Sequence, residues 1–157
     1  MADNQFKAFF EQLSKIEDDL EKVVPELGKQ AADDIRRRTR AGYGTDTNGG
    51  NKSRLAALTD EYKKARRRMP LSTETSPNKS NLTQTGSMLD SLEFVRVGKF
   101  EGIVVPTGSD EKGVSNADKA LYVTDQGRPF MFLSKAETKR LEDTLRKRLN
   151  DIIKKIF

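Results

Sequence analysis

The chain contains neither cysteine nor histidine. Their absence excludes disulfides, thiol nucleophiles, histidine acid/base pairs and structural zinc sites together. Carboxylates, hydroxyls, lysine, arginine and tyrosine remain, so an enzyme built on this chain would depend on paired carboxylates or a carboxylate-bound metal. The acidic neighbours Asp18/Asp19, Asp33/Asp34 and Glu142/Asp143 do not supply such a pair, because adjacent helical residues point about 100° apart. Residues 45–51 (TDTNGGN) lack the residue order of a calcium loop, and Ala56 stands where its closing glutamate belongs. Neither a cofactor nor a metal is expected. No run of eighteen apolar residues occurs, and no basic region leads into an apolar stretch at the start, so the expectation is a soluble protein made in the cytoplasm, with no membrane partner.

Apolar residues are also scarce, at 34% of 157 positions. That is little for a single domain, residues 1–157, that must bury a full core. Either part of the chain stays mobile or another subunit covers part of its apolar surface. Charge is unevenly spread within the net +5: residues 1–28 hold 3 basic and 7 acidic side chains, 29–68 hold 12 and 5, 69–133 hold 6 and 8, and 134–157 hold 8 and 4. Such asymmetry suits nucleic acid or an acidic protein surface.

Phe6, Phe9, Leu13, Ile16, Leu20, Val23 and Leu27 recur in steps of three and four, the stripe of a long helix. Pro25 predicts a bend or a restart near Val24, followed by helix to about Thr39 with Leu27, Ala31 and Ile35 inward. Residues 41–81 hold most of the Gly, Asn, Ser and Thr and read as a long excursion, disordered or ordered by a partner, with one short helix capped by Thr59. Leu92–Val97 and Phe100–Val105 predict a hairpin turning at Gly98-Lys99, with Pro106 ending the second strand. Ser115 and Asp118 cap a short helix over 116–124 that turns Ala120, Leu121 and Val123 inward and stops at Gly127. Arg128 to Leu133 reads as extended. Ser134 and Glu137 form a capping box opening a helix with Leu141, Leu145, Leu149, Ile152, Ile153 and Ile156 on one face. The expected fold is α+β: long N-terminal (kinked) and C-terminal helices on a small antiparallel sheet, with a loop or arm at 41–81.

Two stretches invite a binding role. Thr83, Thr85, Gly86 and Ser87 resemble a phosphate-cradling turn, but no lysine follows Gly86 as a P-loop requires. The structural reading makes Thr85 or Ser87 a helix cap and buries Met88, Leu89 and Leu92 at a hinge into the hairpin. The basic set Arg36, Arg37, Arg38, Arg40, Lys52, Arg54, Lys63, Lys64, Arg66, Arg67 and Arg68 is the best case for phosphate contact. Only Tyr43 and Tyr62 lie near it to stack bases, which favours a solvated face or an acidic protein contact over dedicated DNA binding.

Four segments in order carry a family resemblance. They are Leu82, Thr85, Gly86, Leu89, Ser91 and Leu92; a hairpin; Tyr122, Val123 and Gly127; and Arg128, Pro129 and Phe130 before a final helix. This order resembles the neck and tail-completion proteins of long-tailed bacteriophages, over about residues 40–149. The chain departs from the pattern after Val123, where Thr124 and Asp125 stand in place of a glutamate. The resemblance implies a non-enzymatic virion subunit of the head–tail connector or tail-completion ring, self-associated and bounded by other virion proteins on its portal and tail sides. Basic stretches would then face acidic neighbours or, non-specifically, the genome. The alternative is a small basic nucleic-acid-binding protein acting through residues 36–68.

Overall fold

The computed structural model describes residues 2–46 and 49–156, leaving out the side chains of residues 2–6 and 8. The side chain of Phe6 in the N-terminal stripe, and Thr47 and Asn48 within the 45–51 loop, therefore lie outside the described residues. The fold is α+β, as the patterning predicts.

One helix, α1 (Ala2–Arg40), is the frame. At 39 residues it is about 58 Å long. It runs through Pro25 without a restart. The expected restart does not occur, because both flanks of α1 are packed in that region. An interior proline costs a helix about 3 kcal/mol, and α5 and the hairpin bind the turns on either side of it.

The 41–81 excursion exists and is folded. Strands β1 (Tyr43–Gly44) and β2 (Ser53–Arg54) pair antiparallel, Tyr43 opposite Arg54. Helix α2 (Asp60–Arg66) starts at Thr59, whose side chain accepts from the Tyr62 N–H, as expected. Leu55, Leu58, Arg66 and Asn81 are buried. Its described residues thus pack on their own subunit.

Helix α3 (Ser87–Asp90) then leads into β3 (Leu92–Arg96) and β4 (Gly102–Pro106), which pair in register from Leu92–Pro106 to Arg96–Gly102. The turn is longer than the expected Gly98-Lys99 pair: Val97 and Gly98 both donate to the Glu101 carbonyl. Helix α4 (Asn116–Asp125) begins at Ser115, which accepts from Asp118 N–H, and ends in a Schellman motif with Gly127 N–H on Thr124 and Arg128 N–H on Val123. Residues 128–133 form no strand; their carbonyls are used singly, Pro129 by Thr45 N–H and Phe132 by the Thr45 hydroxyl. Helix α5 (Lys135–Ile156) opens on the capping box, with Ser134 N–H 2.7 Å from Glu137 Oε2.

Helix α5 runs antiparallel along α1, since Arg140 meets Asp34 at 3.1 Å and Arg148 meets Glu26. The hairpin packs on another flank of α1. Between them the core gathers Ala32 and Ile35 of α1, Met88, Leu89 and Leu92, Ala120 of α4, and Phe130, which is fully buried.

Candidate interaction surfaces

The residues of the family-like segments come together around that core. Leu89, Leu92 and Phe130 are buried in it, and Leu82 packs against it. Leu82 holds φ +54°, a left-handed conformation that a side-chain-bearing residue adopts at a cost of roughly 1–2 kcal/mol. Buried neighbours hold it there. The Asn81 amide donates to the Arg40 and Glu74 carbonyls, and its oxygen accepts from Thr75 at 2.7 Å.

Gly86, at φ +87°, caps α3. Neither Thr85 nor Ser87 does so, because α3 has no side-chain cap and the two hydroxyls bond each other at 3.1 Å. The backbone reversal there needs the left-handed residue in the cap position, so glycine takes it. Gly127, at φ +74°, closes α4 for the same reason. Arg128 reaches back to the carbonyls of Ala56 and Ala57, at 3.3 and 3.2 Å, and so fastens the excursion to the body. Tyr122 is largely exposed and so is Leu121, which the sequence places inward. From this helix the core takes Ala120 fully and Val123 in part, both of which the sequence places inward.

The basic set divides. Arg36 donates to the Leu89 and Leu92 carbonyls at 3.0 and 2.9 Å and pairs with Asp33. Arg38 is buried, bonded to Glu137 and to the Phe130 carbonyl. Burial pulls its guanidinium below the ordinary arginine value, while the adjacent Glu137 carboxylate pulls it back up. Arg40 pairs with Glu74 at 2.9 Å and with Asp90. Arg66 is buried, donating to Lys79 O at 2.8 Å and Thr75 Oγ1 at 3.1 Å. These four spend their donors as fasteners within the subunit. Arg37 is exposed but pairs with buried Asp34. Lys52 lies 4.8 Å from the Tyr43 ring centre, and Lys63 pairs with Asp60 at 2.8 Å. Arg54, Lys64, Arg67 and Arg68 remain exposed cations.

Sequence periodicity contained a signal for Arg38. Ala31, Ile35 and Arg38 fall at steps of four and three, on the inward stripe. Its partner Glu137 shows in the sequence only as half of the capping box with Ser134.

Of the apolar surface that stays exposed, two patches lie along α1. A groove of roughly 620 Å³ runs along α1 between the hairpin and α5, with Leu20, Val24 and Leu27 on its floor and Phe100, Phe132 and Leu145 at its sides. The second surface is the start of α1. The tip of the hairpin reaches Glu17, bonded to Lys99 at 2.8 Å, and α5 ends beside Asp19 and Lys22. Among the described residues no hydrogen bond or ion pair from another element reaches α1 before Glu17. None of the described side chains before Glu17 is buried, and Phe9, Phe10 and Leu13 are exposed, so the start of α1 projects beyond the body. Among the described residues, no three acidic side chains converge as a metal site and no helix is long and apolar enough to cross a membrane. No family model, curated protein or solved structure matches this chain.

Proposed function

We propose that the chain is a non-enzymatic structural subunit of the bacteriophage neck, a ring-forming head–tail connector or tail-completion protein of the virion, made in the host cytoplasm. One observation carries the reading. The segments that share the family pattern, residues 82–92 and 122–130, pack on one another as the core of the fold, while α1 leaves apolar surface exposed in two separate places along its length. A subunit completed by its neighbours has that distribution, because a heterologous interface uses two different patches of each copy.

Residues 41–46 and 49–81 lie on their own subunit rather than projecting as an arm for docking. The internal use of Arg36, Arg38, Arg40 and Arg66 likewise weakens the nucleic-acid reading. Lys52, Arg54, Arg67 and Arg68 are left for the genome or for acidic surfaces of adjoining virion proteins. The test is mass spectrometry of purified virions of the encoding phage, with light scattering and electron microscopy of the isolated protein. Stoichiometric presence in the particle and closed oligomers are expected. Absence from the virion, together with tight DNA binding that collapses with salt, would overturn the proposal in favour of the basic nucleic-acid-binding protein.

A further inference from the structure

We infer that copies of this chain join head to tail, with the overhanging start of α1 from one copy seated in the apolar groove of the next. The inference rests on the self-association proposed above and names its two surfaces.

The stripe of α1 shows a gradient. Ile35, Ala31 and Val23 are buried, whereas Leu13 is 41% exposed, Phe9 47% and, on the adjoining face, Phe10 64%. Nothing in the periodicity changes along the helix; the body ends and the stripe continues. The groove presents the complementary deficit, with Phe100 52%, Phe132 41% and Leu145 40% exposed at its sides. Taking about 200 Å² for each such side chain, the overhang offers on the order of 300 Å² of apolar surface and the groove nearly as much. At the usual apolar share of about 57%, one such contact buries about 1,000 Å² in total, the lower limit for a specific interface. A single contact is therefore weak. A closed ring gives every copy two of them, so closure is what makes the assembly stable.

The lack of cysteine makes the geometry testable by crosslinking. Leu13→Cys and Leu145→Cys are both at exposed positions, so neither should disturb folding. The two variant proteins are oxidised separately and as a mixture, with light scattering on the wild type at the same concentration. The expected result is a crosslinked dimer dominated by the mixed pair, and a ladder ending at one closed ring from the doubly substituted chain. Phe10→Asp should weaken association at least about tenfold, as loss of an interfacial aromatic does, with unfolding unchanged. Crosslinking of Leu13→Cys to itself without a mixed product would overturn the inference in favour of paired overhangs. A wild type that assembles while neither cysteine crosslinks would overturn it and leave the ring reading standing. A wild type that stays monomeric at every concentration, alone and with virion particles, would remove the ring reading and this interface with it.

Discussion

Breaking the buried Arg38–Glu137 pair should be the most damaging polar change in the chain. Both side chains are almost fully inside. The guanidinium holds the start of α5 through Glu137 and the segment 128–133 through the Phe130 carbonyl, while Glu137 Oε2 also accepts from the Ser134 amide at 2.7 Å and hydroxyl at 2.8 Å. Arg38→Met fills a similar volume but leaves a buried carboxylate without its cation, which costs about 3–5 kcal/mol. Glu137→Gln keeps the capping box, since glutamine serves there as well as glutamate, yet strands the arginine and should cost a similar amount. With both changes made no charge is left unmatched, so the double variant should be more stable than the sum of the singles predicts by about 1–3 kcal/mol. Urea unfolding at neutral pH, with slope and midpoint fitted for all four proteins, measures each term. An Arg38→Met cost below about 1 kcal/mol, or additivity within about 0.5 kcal/mol, would refute the buried-pair reasoning.

Phe130 is fully enclosed by residues of α1, α3, α4 and the start of β3, so Phe130→Ala should cost about 3–5 kcal/mol in chemical unfolding; a loss under about 1 kcal/mol would place the ring outside the core. Trypsin tests the excursion, because cleavage at Arg66 to Arg68 requires local unfolding of a segment anchored by Leu58, Arg66 and the Arg128 contacts. The isolated subunit should resist cutting there about as well as the assembled one, and rapid cleavage of the isolated protein would show that the segment depends on a partner.

What the sequence made legible is what local chemistry decides. Thr59, Ser115 and the Ser134/Glu137 box mark helix starts because each satisfies amides within three residues, and Gly127 marks a stop because only its own backbone is involved. The hairpin follows from β-rich runs around a Gly. Other features depend on groups that a sequence does not display. Arg36, Arg38 and Arg66 spend their donors on the carbonyls of Leu89, Leu92, Phe130 and Lys79, and a backbone carbonyl is present at every residue. The excursion lacks periodicity because its anchors are of the same kind: Ser80 and Arg128 both on Ala56 O, and Thr45 on Pro129 O. Pro25 illustrates the converse, a strong local signal outweighed by packing on both sides of it.

The scarcity of apolar residues and the number of internal arginine contacts have one physical cause. A chain with 34% apolar content that also holds large hydrophobic side chains at its surface has too few left to join α1, α3 and α5 by burial alone. Arginine can do that joining, since one guanidinium reaches two or three carbonyls or carboxylates on different elements at once. The consequence is a separation of roles along α1. Its last turns carry the polar fastening of the subunit, and its first turns carry apolar surface that contributes little to the subunit's own stability. Substitutions at Arg38 should therefore lower the unfolding midpoint in proportion to the loss of the pair, whereas Phe9 or Phe10 substitutions should leave the midpoint unchanged and act only on association. If instead Phe10→Asp destabilised the dilute protein by more than about 1 kcal/mol, the start of α1 would be part of the subunit's own core, and its exposed stripe would no longer argue for a neighbour.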